Sequence, residues 1–467
     1  MAKDLRQFLQ VAKEVGPDYY VEVKKPLSPK LEVCVIQQKL AREGRFPVIY
    51  CPKIEGSDLP LVTDLFGSRE MMGLAMGMDP RKATKQDIFH EFRRRNGTTR
   101  PVQTVASSQA PVHEVVLKGD QVDLGLLPII HHAPLNSGKY VSVGCMVCND
   151  PDTGIPNIGI YRHELKGKDK LGAMLNPGHH AAYIARRYAE LGKPMEVAIF
   201  IGHHPAAILG SQYTGPQDVN EYEVMGGFLD ESFLVTQALT VDLQVPALAE
   251  IVIEGIIDPL EMVTDGPFSE YPGYYGEGAK PCYLMNVTAI TMRKDAIYHD
   301  LDPSHREHNL SGALAYESAV YDAVKSAVPT VKEVYSPPSG ANVFTFYVSI
   351  AKRVPGEGKR AGLAALAFPT NGNAVVVVDE DVDVFNEEEV LWAVYTRMVP
   401  DKDILVIPAI TGPHLHPTAY DETGLKRGPM TTKMIIDATM PVGLPFAKRI
   451  VPPKDLWESM NLEDYLS

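Results

Sequence analysis

Leu5, Phe8, Leu9 and Ala12 recur at the spacing of one helical face, and Gly16-Pro17 stops the pattern. Residues 46–51 form a short apolar run of strand type. Between Arg81 and Arg100 polar and basic residues dominate, Arg93, Arg94 and Arg95 among them, which predicts a solvated helix end and loop. From about Pro111 the texture changes to short β-rich runs at 112–117, 140–148, 196–202, 249–254 and 282–292, separated by Gly, Pro and Asp. Such frequent short strands predict a sandwich or barrel-like middle domain. One helix interrupts them, with His180, Ile184, Tyr188 and Leu191 on one face and Gly192 as its stop. A second is predicted over 311–328, carrying Leu314, Val320 and Val324 and ending before Pro329. In the last third, 374–378 is a continuous apolar strand. Asn386 is placed to N-cap a helix over 387–398 whose three opening glutamates suit its positive end. Strand followed at once by helix predicts an α/β layer.

Composition narrows the class. The chain has 467 residues, 45% of them hydrophobic and 22% charged, enough apolar surface for folded cores and a length for about three. With 45 Lys+Arg against 59 Asp+Glu the net charge is −14, which argues against a broad nucleic-acid surface. No basic segment followed by an apolar stretch opens the sequence, and no run of about 18 apolar residues occurs, so a cytoplasmic, soluble protein without membrane partners is expected. Five scattered cysteines do not form a disulfide framework, and Cys145 and Cys148 fall on a strand-like alternation that predicts burial.

Several tempting motifs read as structure. Gly356 and Gly358 near Lys359 match no phosphate-binding spacing, so 355–362 is predicted as a surface turn. Asp379, Asp381 and Asp383 sit at a strand end, where carboxylates cap and solvate. No serine-hydrolase elbow or paired-histidine zinc motif occurs. The chemistry concentrates instead between 157 and 308. Asn157, His180 and the carboxylates at 221 and 223 are oxygen and nitrogen donors for a divalent ion. His180 also opens a helix, where free N–H groups favour a phosphate. Arg162 suits bidentate capture of a carboxylate or phosphate, and Asp265 and Glu270 flank Gly-Pro as an acid/base pair or a polar turn.

The ordered set Asn157…Tyr161-Arg162, Pro177-Gly-His-His180, Glu221-Tyr-Glu-Val-Met-Gly-Gly227, Asp265-Gly-Pro-Phe-Ser-Glu270 and Lys433-Met-Ile-Ile-Asp-Ala-Thr439 resembles the UbiD family of prenylated-FMN-dependent decarboxylases. The resemblance runs through most of the chain. It implies a mixed α/β and β architecture: an N-terminal α/β segment (1–110), a flavin-reductase-like split β-barrel (111–310), a connecting helix (311–328) and a C-terminal α/β dimerisation domain (329–467). It assigns Asn157, His180 and Glu223 to Mn²⁺ or Mg²⁺, with K⁺ nearby, and Ile160, Arg162, His179, His180, Ser211, Gln212 and Lys433 to the prenylated FMN. Arg162, Asp265 and Glu270 fall on the family's catalytic network. Two positions depart from the common pattern: His179 where relatives often carry Gln, and Asp265 where many carry Glu.

The activity so implied is reversible, non-oxidative decarboxylation of an aromatic or heteroaromatic acid, releasing CO₂. A flavin prenyltransferase would supply the cofactor, and a homodimer or hexamer is expected. The polar cluster His299, His305, Arg306 and His308 reads as a loop, either solvated or lining the substrate pocket. In the second case Arg306 would hold a second carboxylate, which makes furan-2,5-dicarboxylate a candidate substrate. Two alternatives stay open: a partial subunit of a multi-subunit carboxylase, and a metal-dependent hydrolase.

Overall fold

The structure, a computed structural model, describes residues 3–176, 178–276, 278–367, 372–412, 415–419 and 430–466. Pro177 of the Pro-Gly-His-His motif lies outside the described residues.

The opening helix spans Leu5–Val15, capped by the Asp4 side chain, and ends at Gly16 with φ +132°, a conformation that favours glycine. A four-stranded sheet follows, built from Tyr20–Glu22, Val48–Cys51, Leu61–Thr63 and, from much further along the chain, Tyr298–His299. That last strand pairs in parallel with Leu61–Thr63 and carries the polar segment after it into the interior. The basic stretch is not simply solvated. The helix Lys85–Asn96 buries Arg95, whose guanidinium donates to the carbonyls of Phe228 and Met76.

The middle of the chain closes into a six-stranded antiparallel barrel. Its order is Ile251–Asp265, Met195–Ile201, Tyr140–Asn149, Pro156–Gly167, Lys170–Ala173 and Lys280–Met292, and the last pairs back with the first. Closure removes the sheet edges, and Val115–Lys118 adds a seventh strand outside it. Cys145 and Cys148 are buried on the Tyr140–Asn149 strand, and all five cysteines are unpaired and buried.

The helix predicted over 311–328 begins five residues earlier and spans Arg306–Ala327. Arg306 and His308 are therefore helical rather than loop residues, and the buried polar side chain of Glu307 explains why the apolar pattern missed this first turn. Beyond it lies a five-stranded sheet in the order Val331–Tyr335, Thr345–Ile350, Ala374–Asp379, Met430–Ala438, Ile404–Thr411, with parallel pairing in the centre and antiparallel strands at both edges. The predicted turn at 355–362 is largely helix, Glu357–Ala367. A Cβ at Gly358 would sit 2.2 Å from Asp437 Oδ1 and one at Gly362 2.3 Å from Ile435 Cγ2, so these glycines let the helix lie directly on the sheet. Asp379 and Asp381 both pair with buried Arg397, the structural role their strand-end position implied.

Candidate active site

The barrel strand Pro156–Gly167 is the spine of the site. Arg162, on this strand, reaches Asp265 Oδ2 at 2.6 Å through Nη2 and 3.1 Å through Nε, and donates to Glu270 through Nη1. Asp265 ends the strand Ile251–Asp265. The turn that follows takes Gly266 through φ +88°, which returns the chain so that Asp265 and Glu270 face one guanidinium. Burial opposes the Arg162 charge, but the two carboxylates outweigh it and hold the guanidinium pKa above its ordinary value. Phe268 lies beneath, its ring centre 4.3 Å from the guanidinium carbon. Asn136 holds the same turn by accepting the Ser269 N–H at 2.8 Å. Asp265 Oδ1 is buried without a hydrogen-bond partner among the described residues, a free acceptor beside the arginine.

Five residues earlier on the strand, Asn157 meets the helix Glu221–Leu229. Its Nδ2 lies 3.3 and 3.4 Å from the two Glu221 carboxylate oxygens, and the Ile158 N–H also donates to Glu221. Asn157, His180 and Glu221 line one small cavity with Asp150 and Gln217. Glu223 does not line it. Two positions along a helix rotate a side chain by about 200°, and Glu223 is half-buried elsewhere, its backbone carbonyl accepting from Arg100 N. Burial pushes the Glu221 carboxyl up to about 8. Burial also lowers the pKa values of His180 and His179, which keeps both imidazoles neutral at physiological pH. The donor set fits a hard divalent cation: Asn157 Oδ1 is buried with no hydrogen-bond partner among the described residues, Glu221 is a buried carboxylate, and His180 is a neutral imidazole.

The other residues are distributed as follows. Ile160 is half-buried on the strand, opposite Cys145. Ser211 closes the helix Pro205–Gly210, donates to the Ile208 carbonyl and lies 3.7 Å from Cys145 Sγ, while Gln212 reaches back to Ser211 at 3.5 Å. His179 N-caps the helix His180–Glu190, its ring 6.0 Å from that of Tyr161. Lys433 is buried on the Met430–Ala438 strand with its pKa lowered by burial, an ammonium in need of an anion.

The polar cluster after residue 298 divides. His299 and His305 are interior: His299 is wholly buried with its pKa pushed down to about 4, and His305 lies 3.3 Å from Asp64. His308 hydrogen-bonds the Pro303 carbonyl at 2.7 Å and sits edge-on to Tyr271, the residue after Glu270. Arg306 stacks on Phe46 at 4.3 Å, and its Nε is buried without a hydrogen-bond partner among the described residues. Tyr271 continues to Phe344 and Phe344 to His416, an aromatic wall that no local motif announced.

Comparison with known proteins finds relatives along most of the chain. The N-terminal, Rift-related and C-terminal domains of 3-octaprenyl-4-hydroxybenzoate carboxy-lyase, the UbiD domains, match residues 16–87, 103–305 and 308–438. An anhydromevalonate phosphate decarboxylase of Methanothermobacter thermautotrophicus is 31% identical over 438 residues, covering 94% of this chain and 97% of that protein. The chain belongs to the UbiD family. It is a carboxy-lyase. Among solved UbiD-class enzymes, HmfF from Pelotomaculum thermopropionicum in complex with FMN superposes with a TM-score of 0.90 at 34% identity, over 99% of this chain and 100% of that one. The 3,4-dihydroxybenzoic acid decarboxylase of Enterobacter cloacae superposes with a TM-score of 0.87 at 28% identity, over 97% and 98% of the two chains. As a UbiD protein the chain has no helix among its described residues long and apolar enough to cross a membrane.

Proposed function

We propose that this UbiD enzyme decarboxylates an aromatic or heteroaromatic carboxylic acid reversibly, using prenylated FMN. The observation that carries the reading is the Arg162 guanidinium held between Asp265 and Glu270 at the end of a closed barrel. Two UbiD-class neighbours, both HmfF, are described with FMN or prenylated FMN bound. When bound, the prenylated flavin supplies the electron sink that carbon–carbon cleavage at an sp² carbon requires. The protein's part is to orient the substrate and to move protons. Arg162 aligns the substrate carboxylate, Glu270 delivers the proton that replaces CO₂, and Asp265 fixes the guanidinium from the other side. Asn157, His180 and Glu221 would hold the divalent ion, Mn²⁺ or Mg²⁺, that neutralises the cofactor phosphate, with K⁺ beside it. Lys433 would add a cation for that phosphate, and Ile160, His179, Ser211 and Gln212 would complete the cofactor site, the last two beside the cofactor or the K⁺.

Glu270→Gln keeps the guanidinium contact but cannot give up a carboxylic proton. It should retain cofactor and lose turnover by at least about 100-fold. Near-normal turnover in that variant would sink the assignment. Protein made anaerobically beside a flavin prenyltransferase should release prenylated flavin in near-stoichiometric amounts. A folded product carrying neither flavin nor metal would favour a partial subunit instead.

For the substrate, Arg306 is an arginine stacked on a ring with no carboxylate paired to it among the described residues, which suits a second anionic substituent such as that of furan-2,5-dicarboxylate. Arg306→Ala should impair dicarboxylates selectively. Equal loss on monoacids would assign the residue a structural role.

A further inference from the structure

Strand alternation puts Arg162, Glu164 and Lys166 on one face of the barrel strand Pro156–Gly167. All three, with Asp265, lie close enough to Cys282 for their charges to bear on its thiol. Glu164 is only 4% exposed. A carboxylate at that depth needs partners, and it has two. Its Oε2 lies 2.6 Å from Lys166 Nζ and accepts the Gly266 N–H at 3.3 Å. Gly266 follows Asp265 directly, at φ +88°, where the chain turns back toward Glu270.

Two glycines make room for the pair. A Cβ on Gly138 would stand 3.1 Å from Glu164 Oε1. One on Gly172, which Glu164 faces in the sheet register, would stand 3.1 Å from Lys166 Cε. The Lys166 stem therefore lies across the neighbouring strand, and its ammonium ends on Glu164. Holding an N–H needs no charge, since an amide oxygen would accept it equally well. What the carboxylate adds is a third negative group beside Asp265 and Glu270, which disfavours their ionised forms. What Lys166 adds is the cancellation of that charge.

We propose that Glu164 and Lys166 are a charge-balanced positioning pair for the Arg162–Asp265–Glu270 network. Glu164 fixes the Gly266 turn that aims both carboxylates at the guanidinium. Lys166 offsets the Glu164 charge, so that Glu270 can still give up its proton. Both act through Gly266 and Asp265 rather than on substrate. The inference rests on the catalytic reading of that network.

The other titratable groups around the two carboxylates leave this balance in place. Tyr140 faces Asp265 from the preceding strand and Tyr271 adjoins Glu270; burial pushes both phenols up. Burial likewise raises the Cys282 thiol to about 12 and lowers the His308 imidazole near Glu270, so all four stay neutral at physiological pH. Lys280, beside Asp265 in the register of the next strand, is itself engaged.

The test reads Glu270 without turnover, in the full-length protein loaded with flavin. Glutamates labelled with ¹³C at the side-chain carboxyl give an infrared carbonyl band, and the part that Glu270→Gln removes belongs to Glu270. Glu164→Gln keeps an acceptor for Gly266 and leaves the Lys166 charge unopposed. The pH at which Glu270 takes up its proton should then fall by at least about half a unit. Lys166→Met should raise it by a similar amount. Glu164→Ala should speed hydrogen exchange at the Gly266 amide at least about tenfold, whereas Glu164→Gln should keep the unmodified rate. Equal midpoints in Glu164→Gln and Lys166→Met, shifts of the same sign, or unchanged exchange in Glu164→Ala would overturn the pair. Turnover of Glu270→Gln tests the catalytic network separately. Near-normal turnover there ends that assignment, while the midpoints and the exchange rate still decide this one.

Discussion

The carboxylate of Glu221 lies 3.3 and 3.4 Å from the Asn157 amide nitrogen, while the Asn157 carbonyl oxygen beside it is buried without a hydrogen-bond partner among the described residues. This places Glu221, rather than Glu223, at the cavity that His180 also lines. Glu221→Gln should therefore reduce bound metal at least about tenfold, whereas Glu223→Gln should leave it unchanged. Elemental analysis of the two purified variants decides between them, and the opposite pattern would return the metal to Glu223.

The same carboxyl yields a pH dependence. Burial raises the Glu221 pKa from its ordinary 4.5 to about 8 in the metal-free protein. The folded state therefore holds a proton that the unfolded state has released. Between those values the group's contribution to stability falls as pH rises. A bound cation needs the ionised form, so metal affinity should climb up to about tenfold per pH unit below pH 8 and level off above it. Calorimetric titration of the metal-free protein with Mn²⁺ in buffers of different ionisation enthalpy should detect about one proton released near pH 7. Affinity that is flat from pH 6 to 8 would remove Glu221 from the coordination.

Phe268 supports Arg162 from below at 4.3 Å. Replacing it with Leu keeps an apolar floor but removes the ring quadrupole, worth about 1 kcal/mol at a partly desolvated site. The expected result is a fall in kcat/KM of about three- to tenfold with the protein still folded, read from steady-state kinetics and circular dichroism. A loss as large as that of Glu270→Gln would mean that the ring contacts the substrate itself.

Arg69 and Glu317 form a fully buried pair between the helices Arg69–Ala75 and Arg306–Ala327, with Nη1 3.0 Å from Oε2 and the Ser336 N–H donating to Glu317. Glu317→Ala would strand the arginine charge in the interior and should destabilise the fold by about 3–5 kcal/mol. Urea unfolding measures this, and a change under 1 kcal/mol would show that water reaches the site.

The residues that meet around Arg162 were legible along the chain. Arg162, Asp265 and Glu270 lie in ordered motifs of distinctive residue types, and the structure brings all three together. Cys145 and Cys148 alternate as a buried strand should, and Asn386 caps its helix by accepting the Glu388 N–H. The misreadings share one cause. A buried Arg95, a helix starting at Arg306 rather than Ser311, and glycines at 358 and 362 that seat a helix on a sheet all depend on partners distant in sequence. His299 and His305, which the sequence left open between a solvated loop and a pocket lining, are interior, because a strand pairing with Leu61–Thr63 carries them inward.

Residue types and their order along the chain already contain two carboxylates and an arginine, amide, imidazole and carboxylate groups, and strands and helices whose periods are local properties of the chain. Folding in three dimensions sets which glutamate of Glu221-Tyr-Glu223 turns toward Asn157, how six strands close into a barrel, and that residues 450–466 stay exposed. Periodicity describes which residues share a face. What that face meets is set by packing between segments hundreds of residues apart, and no local pattern records it.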